Sequence, residues 1–153
     1  MEIKAYIKEG HLFIENFFLT EKIKLDAIDN ILIYHHGERY ENRICFYLLE
    51  PIIYENQKKT FWSKLLFYSF LLFNKERLII EERYHNKDLS NILNKLKDNL
   101  KEIIIPNLEG SMFWKTRDNG YEIPMVKLVY SKKGLGLVNV LKKYRKMINE
   151  NEL

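Results

Sequence analysis

The sequence has one cysteine in 153 residues, no apolar run long enough to cross a membrane, and no acidic residue between positions 123 and 149. Each absence excludes something. A lone Cys45 forms no internal disulfide and supplies no cysteine-based zinc site, so nothing points to an oxidising compartment. The most apolar stretch, residues 61–73 (FWSKLLFYSFLLF), is 13 residues long and holds Lys64. A spanning helix needs ~20 apolar residues. The stretch is expected to be a buried element; the competing reading lays it in a membrane interface, given its aromatics and the preceding Lys58 and Lys59. The opening residues carry Glu2, Lys4, Lys8 and Glu9 instead of a basic start followed by an apolar run, so the expected location is cytoplasmic, with a peripheral membrane position as the alternative. No internal repeat or low-complexity run is present.

What is present suits a globular chain. Compact domains most often have ~100–150 residues, and the apolar share of 46% is ordinary. The formal charge of +4 is unevenly spread. Residues 1–122 hold 18 Lys and Arg against 19 Asp and Glu, whereas residues 123–149 hold seven cations and no acid. Positive charge concentrated in one segment is what attracts anionic partners.

The first half reads as strands. Ile3, Ala5 and Ile7 alternate with Lys4, Tyr6 and Lys8, a period of two. Residues 11–19, 22–25, 28–34 and 43–49 are further strand candidates, the last stopped by Pro51. Residues 71–83 fit either a hairpin turning near Asn74 or a helix followed by a strand. Residues 86–101 predict an amphipathic helix, with Leu89, Ile92, Leu93, Leu96 and Leu100 on one face and Asn86 capping it. Residues 103–105 predict a short strand. Beyond Pro106, Asn119-Gly120 is a strong hairpin signal because both turn positions favour positive φ. Residues 135–148 predict a last helix, with Leu137, Leu141, Tyr144 and Ile148 on its apolar face. The expected architecture is α+β: a unit over residues 1–105 and a ββα extension over 106–153 docked on it as one compact body.

Three stretches carry a family likeness: LFIENFFLTEKIKLDAIDNILI, RICFYLLEP and RLIIEERYHNKDLSNILNKL. In this order of strand, turn and helix, residues 10–105 resemble a small bacterial pleckstrin-homology-like (PH-like) domain. The resemblance implies a curved antiparallel sheet closed by the helix at 86–101, and a docking role toward proteins or charged headgroups. It assigns no residue, because the basic loop positions that some relatives use have no counterpart here.

No constellation points to catalysis, a metal or a cofactor. His35 and His36 are adjacent, and neighbours on a strand face opposite ways; with His11 and His85 they read as turn or surface residues. Cys45 reads as a buried structural thiol, although a hairpin would bring His35 or His36 toward it. Glu81-Glu82, and Glu38 with Glu41, read as solvated faces, since general acid–base work needs carboxylates that converge in unlike environments. Gly134-Leu135-Gly136 precedes a helix, but the third glycine of a dinucleotide fingerprint is replaced by Asn139. The candidate binding residues are therefore Lys132, Lys133, Lys142, Lys143, Arg145 and Lys146. The expected function is a non-catalytic module, of inhibitor or immunity type, that occludes or recruits a protein partner. The alternatives are a peripheral protein holding anionic lipid through the basic helix, and an enzyme with an unfamiliar site. Nucleic acid is not expected as a partner, because the basic helix offers no stacking aromatic outside its apolar face.

Overall fold

The computed structural model describes residues 4–16, 19–35, 41–57, 60–74, 76–105, 114–116, 122–124 and 126–151. The chain is mixed α+β. Strands β1 (Lys4–Lys8), β2 (His11–Glu15), β3 (Leu19–Lys24) and β6 (Ile53–Asn56) form one antiparallel sheet in the order β1-β2-β3-β6. Strands β4 (Ile28–His35), β5 (Glu41–Leu48), β7 (Ile79–His85) and β10 (Val126–Ser131) form a second, in the order β10-β4-β5-β7. A two-stranded ribbon, β8 (Trp114–Thr116) with β9 (Glu122–Pro124), is separate. The helices are α1 (Phe61–Asn74), α2 (Asn86–Lys97) and α3 (Leu137–Asn151).

The chain passes between the two sheets three times: through the 3-10 turn Leu25–Ala27 that joins β3 to β4, between β5 and β6, and from β6 through α1 to β7. The β1–β2 turn pairs Lys8 with His11, leaving two residues, Glu9 and Gly10, both at positive φ. That handedness matches the twist of the flanking strands.

The main core lies between the sheets and under α2. Leu12, Ile14 and Ile23 from the first sheet meet Ile31, Ile33, Ile44, Phe46 and Ile80 from the second, with Leu89, Ile92, Leu93 and Leu96 of α2 closing it. Burying each such aliphatic side chain is worth ~1.5–3 kcal/mol. A smaller cluster covers the other side of the second sheet, where Leu32, Cys45 and Tyr47 meet Val140 and Tyr144 of α3. Strand alternation explains the division, since Leu32 sits between Ile31 and Ile33, and Cys45 between Ile44 and Phe46.

The structure corrects some sequence expectations and decides others. Asn86 is the first helical residue of α2 and not its cap, which is His85; the Asn86 side chain instead accepts a 2.6 Å hydrogen bond from Asn42 on β5. Leu100 is buried beyond the helix end. Residues 103–105 form no strand, although the Ile104 N–H donates to the Val129 carbonyl. Residues 71–83 resolve as the end of α1 followed by β7. The strands flanking Asn119-Gly120 pair as β8 and β9; the turn itself lies outside the described residues. The strand after them, β10, pairs with β4 and widens the second sheet.

The largest correction concerns residues 61–73. They form α1, and of its residues only Ser63 is buried. A run apolar at nearly every position fits the interior only if it is covered all round. Here one arc is covered and the rest is outside.

Candidate functional site

Helix α1 begins at a conventional cap. Thr60 Oγ1 accepts the Ser63 N–H at 3.3 Å, and Ser63 Oγ donates to the Thr60 carbonyl at 2.9 Å. The inner arc carries Phe67, Phe70 and Leu71, which pack partly on the main core. Phe70 meets Tyr54 of β6 edge to face, with ring centroids 4.7 Å apart. The outer arc carries Phe61, Trp62, Leu65, Leu66, Tyr68, Leu72 and Phe73, with Leu72 82% and Phe73 87% exposed. Eleven large apolar side chains are exposed among the described residues, and these seven are on one helix. Exposed apolar residues scattered singly are normal; a contiguous group this size marks a contact surface. Ser69 lies on the same arc and turns its hydroxyl back to the Leu65 carbonyl at 3.0 Å.

A second irregularity lies beside α1. Glu21 on β3 is 3% exposed, and its Oε2 has no hydrogen-bond partner. Burial and the neighbouring Glu82 of β7 push the Glu21 carboxyl up to about 8. Burial also raises Glu82, against the pull of Arg77. Two neighbouring carboxyl groups out of water resist ionising together, which favours a proton on one of them. The Tyr84 hydroxyl, buried near this pair, also lacks a partner, and burial raises it strongly. Tyr54 and Arg77 connect the pair to α1: Tyr54 is electrostatically coupled to Glu21, Arg77 and Glu82, and the Arg77 N–H donates to the last residue of α1. Glu82 is therefore no solvated surface acid, which corrects the reading of Glu81-Glu82; Glu81 does sit at the surface and pairs with Arg43 at 2.8 Å. No sequence signal links Glu21 to Glu82, because they are on different sheets and far apart in the chain.

The basic segment has a different character. Asp29 sits at a bulge in β4 and is 2% exposed. The Tyr144 hydroxyl donates to its Oδ2 at 2.8 Å, Asn30 donates to the same oxygen at 3.1 Å, and Lys143 pairs with it. Asn30 also donates to the Tyr144 oxygen at 2.9 Å, and the Tyr144 ring stacks on Tyr47. Burial alone would raise the Asp29 carboxyl, but the bonds from Lys143 and Tyr144 outweigh it and hold the group below its usual value. The Lys132 ammonium donates to the Asp26 carbonyl. Two of the six candidate cations thus bind this chain itself. Lys133 and Lys142 are exposed, and the side chains of Arg145 and Lys146 lie outside the described residues.

The other candidates disperse. Cys45 is buried opposite Leu32, and burial pushes its thiol up to about 12, which removes thiolate at neutral pH. The register sets His35 opposite Asn42, while His36 lies outside the described residues. Gly134 takes φ +65° in the turn before α3, and Gly136 supplies the first helical carbonyl acceptor there. Among the described residues no three His, Cys, Asp or Glu side chains converge as a metal site would need, and no helix is long and apolar enough to cross a membrane. Comparison with known protein families, curated proteins and solved structures finds no match for this chain.

Proposed function

We propose that this chain is a non-catalytic docking module whose contact surface is the outer arc of α1. The single observation that carries the proposal is the concentration of seven exposed large apolar side chains on that helix. A folded chain gains nothing by holding them in water, and each would lose aqueous contact on docking. The PH-like resemblance belongs to the same reading: two antiparallel sheets enclose a core, and amphipathic α2 covers it. In that arrangement α1 is an insertion between the last two strands of the unit, whose inner arc rests on the core and whose outer arc is left for contact.

The test compares the wild-type chain with Leu72→Glu/Phe73→Glu. Both are immobilised and challenged with a whole extract of the source cell, membranes included. Material retained by the wild type and lost from the variant is the expected result. Equal retention by both proteins would remove α1 as the contact surface.

The expected binding surface on the basic helix is the second reading. Lys133 and Lys142 favour it, being exposed. Lys143 does not, because Asp29 holds it. Lys142→Glu should leave retention unchanged if α1 is the surface.

A further inference from the structure

We infer that the partner of the α1 face is the surface of an anionic lipid bilayer, in which the helix lies in the plane of the interface. The inference rests on the proposal that α1 is the contact surface, and it adds the chemistry of what covers it.

The shape of the arc is the first argument. At 100° per residue, Tyr68, Phe61, Leu72, Leu65, Ser69, Trp62, Phe73 and Leu66 follow one another around roughly 160° of the helix. A helix that fits a protein groove presents a narrower stripe of anchors at i, i+3, i+4 and i+7, and the interface is finished by a polar rim. This arc has no polar rim residue until Lys64, next to Tyr68. The Ser69 hydroxyl within it is satisfied by the helix's own backbone. An acyl layer has no polar groups to offer in exchange, so a side chain that bonds its own backbone suits lipid better than a protein groove. Fourteen residues rise only about 21 Å, too short to span a bilayer but ample for a helix lying in its surface.

Charge complementarity is the second argument. Between residues 58 and 76 the sequence holds Lys58, Lys59, Lys64 and Lys75 against Glu76 alone. Residues 1–122 as a whole carry more acids than bases, so the sequence holds a local excess of positive charge here, Lys58 and Lys59 just before the helix and Lys64 within it, while Lys75 is offset by Glu76. Cations flanking an apolar face meet anionic headgroups while the face enters the acyl boundary. Trp62 and Tyr68 are the side chains that favour the boundary between headgroup and acyl layer.

The experiment uses the full chain carrying Trp114→Phe, which leaves Trp62 as the sole indole. It is mixed with vesicles of pure phosphatidylcholine and with vesicles that also contain phosphatidylglycerol. Co-sedimentation with the anionic vesicles, a blue shift of Trp62 emission, and weakening by added salt are expected. Leu72→Glu/Phe73→Glu should cut partitioning by ~10-fold or more. Lys58→Glu/Lys59→Glu should abolish the preference for anionic vesicles, and Lys142→Glu should change nothing. Equal partition onto both vesicle types overturns the anionic assignment. Binding that survives Leu72→Glu/Phe73→Glu but is lost with Lys142→Glu overturns the inference in favour of α3. Absence of vesicle binding, together with a concentration-dependent dimer that Leu72→Glu/Phe73→Glu dissolves, overturns the lipid while sparing α1 as contact surface. If that variant alters neither vesicle binding, self-association nor retention of extract components, both proposals fall.

Discussion

Helices α3 and α1 each lie near a buried carboxyl group, and the two regions treat it in opposite ways. Beneath α3, Asp29 is matched by a cation, a phenol and an amide. The helix above it buries Val140 and Tyr144, turns Lys142 outward and sets Lys143 onto Asp29. Near α1, Glu21 faces a second carboxyl group, and an oxygen of Glu21 and the Tyr84 hydroxyl both lack partners. That helix turns its apolar residues outward. The α3 region obeys the rules that stabilise a fold: apolar groups inside, buried charge paired. The α1 region breaks both. Proteins tolerate such violations where function requires them, and compensate with stability elsewhere. The comparison therefore separates a helix that closes part of the fold from one whose outer arc the described fold leaves uncovered.

The comparison is sharpest where side chains are deleted. Tyr144→Ala removes a ring stacked on Tyr47 and two hydrogen bonds to the Asp29–Asn30 pair. It should cost about 3–5 kcal/mol in urea unfolding. A loss below ~1 kcal/mol would mean that α3 is not tied to the sheet in the way its contacts imply.

Next in size is the effect of removing the charge under α3. Asp29→Asn leaves Lys143 without its anion and should destabilise by about 1–3 kcal/mol at neutral pH. Because the fold holds the Asp29 carboxyl below its ordinary value, its contribution is present above the ordinary aspartate pKa of ~3.9 and is lost as pH falls through the folded value. The acid limb of a melting-temperature profile should therefore flatten in Asp29→Asn.

The pair near α1 has the opposite sign. Glu21 is raised in the fold, so its contribution is fully present below the ordinary value of 4.5 and is lost as pH rises towards about 8. Glu21→Gln keeps the shape of the protonated acid and removes the titration. It should be more stable than wild type by about 1–2 kcal/mol at alkaline pH and level with it in mild acid. If the variant loses stability over that interval as steeply as the wild type, another group is responsible, and the two regions differ less than their hydrogen bonds suggest.

What could be read from sequence follows the same division. The period of α2 exposed its core face because polar residues occupy the other positions: Leu89, Ile92, Leu93 and Leu96 are all buried. The alternation of β1 was legible for the same reason. In α1 the pattern is apolar almost everywhere, so periodicity identified a helix or strand but not which arc the core covers. The Glu21–Glu82 and Asp29–Tyr144 contacts depend on pairings between distant strands and helices, as does the addition of β10 to β4. Local spacing carries no trace of these. The basic segment was conspicuous by composition, yet composition does not distinguish a cation that awaits a partner from one, such as Lys143, that already has it inside the fold.

The smallest expected effect tests the comparison from the other side. Leu72 and Phe73 stand in solvent in the folded chain and in the unfolded chain alike, so replacing them changes little apolar transfer on folding. The remaining terms are helix propensity, which differs little between Leu, Phe and Glu, and weak charge effects on an exposed helix. Leu72→Glu/Phe73→Glu should therefore unfold within about 0.5 kcal/mol of wild type, with the same denaturant slope and an unchanged far-ultraviolet spectrum. A loss of several kcal/mol would mean that the arc is covered in the folded chain, and α1 would join α2 and α3 as a structural helix. With stability preserved, any binding that disappears in this variant is lost from the surface and not from the fold.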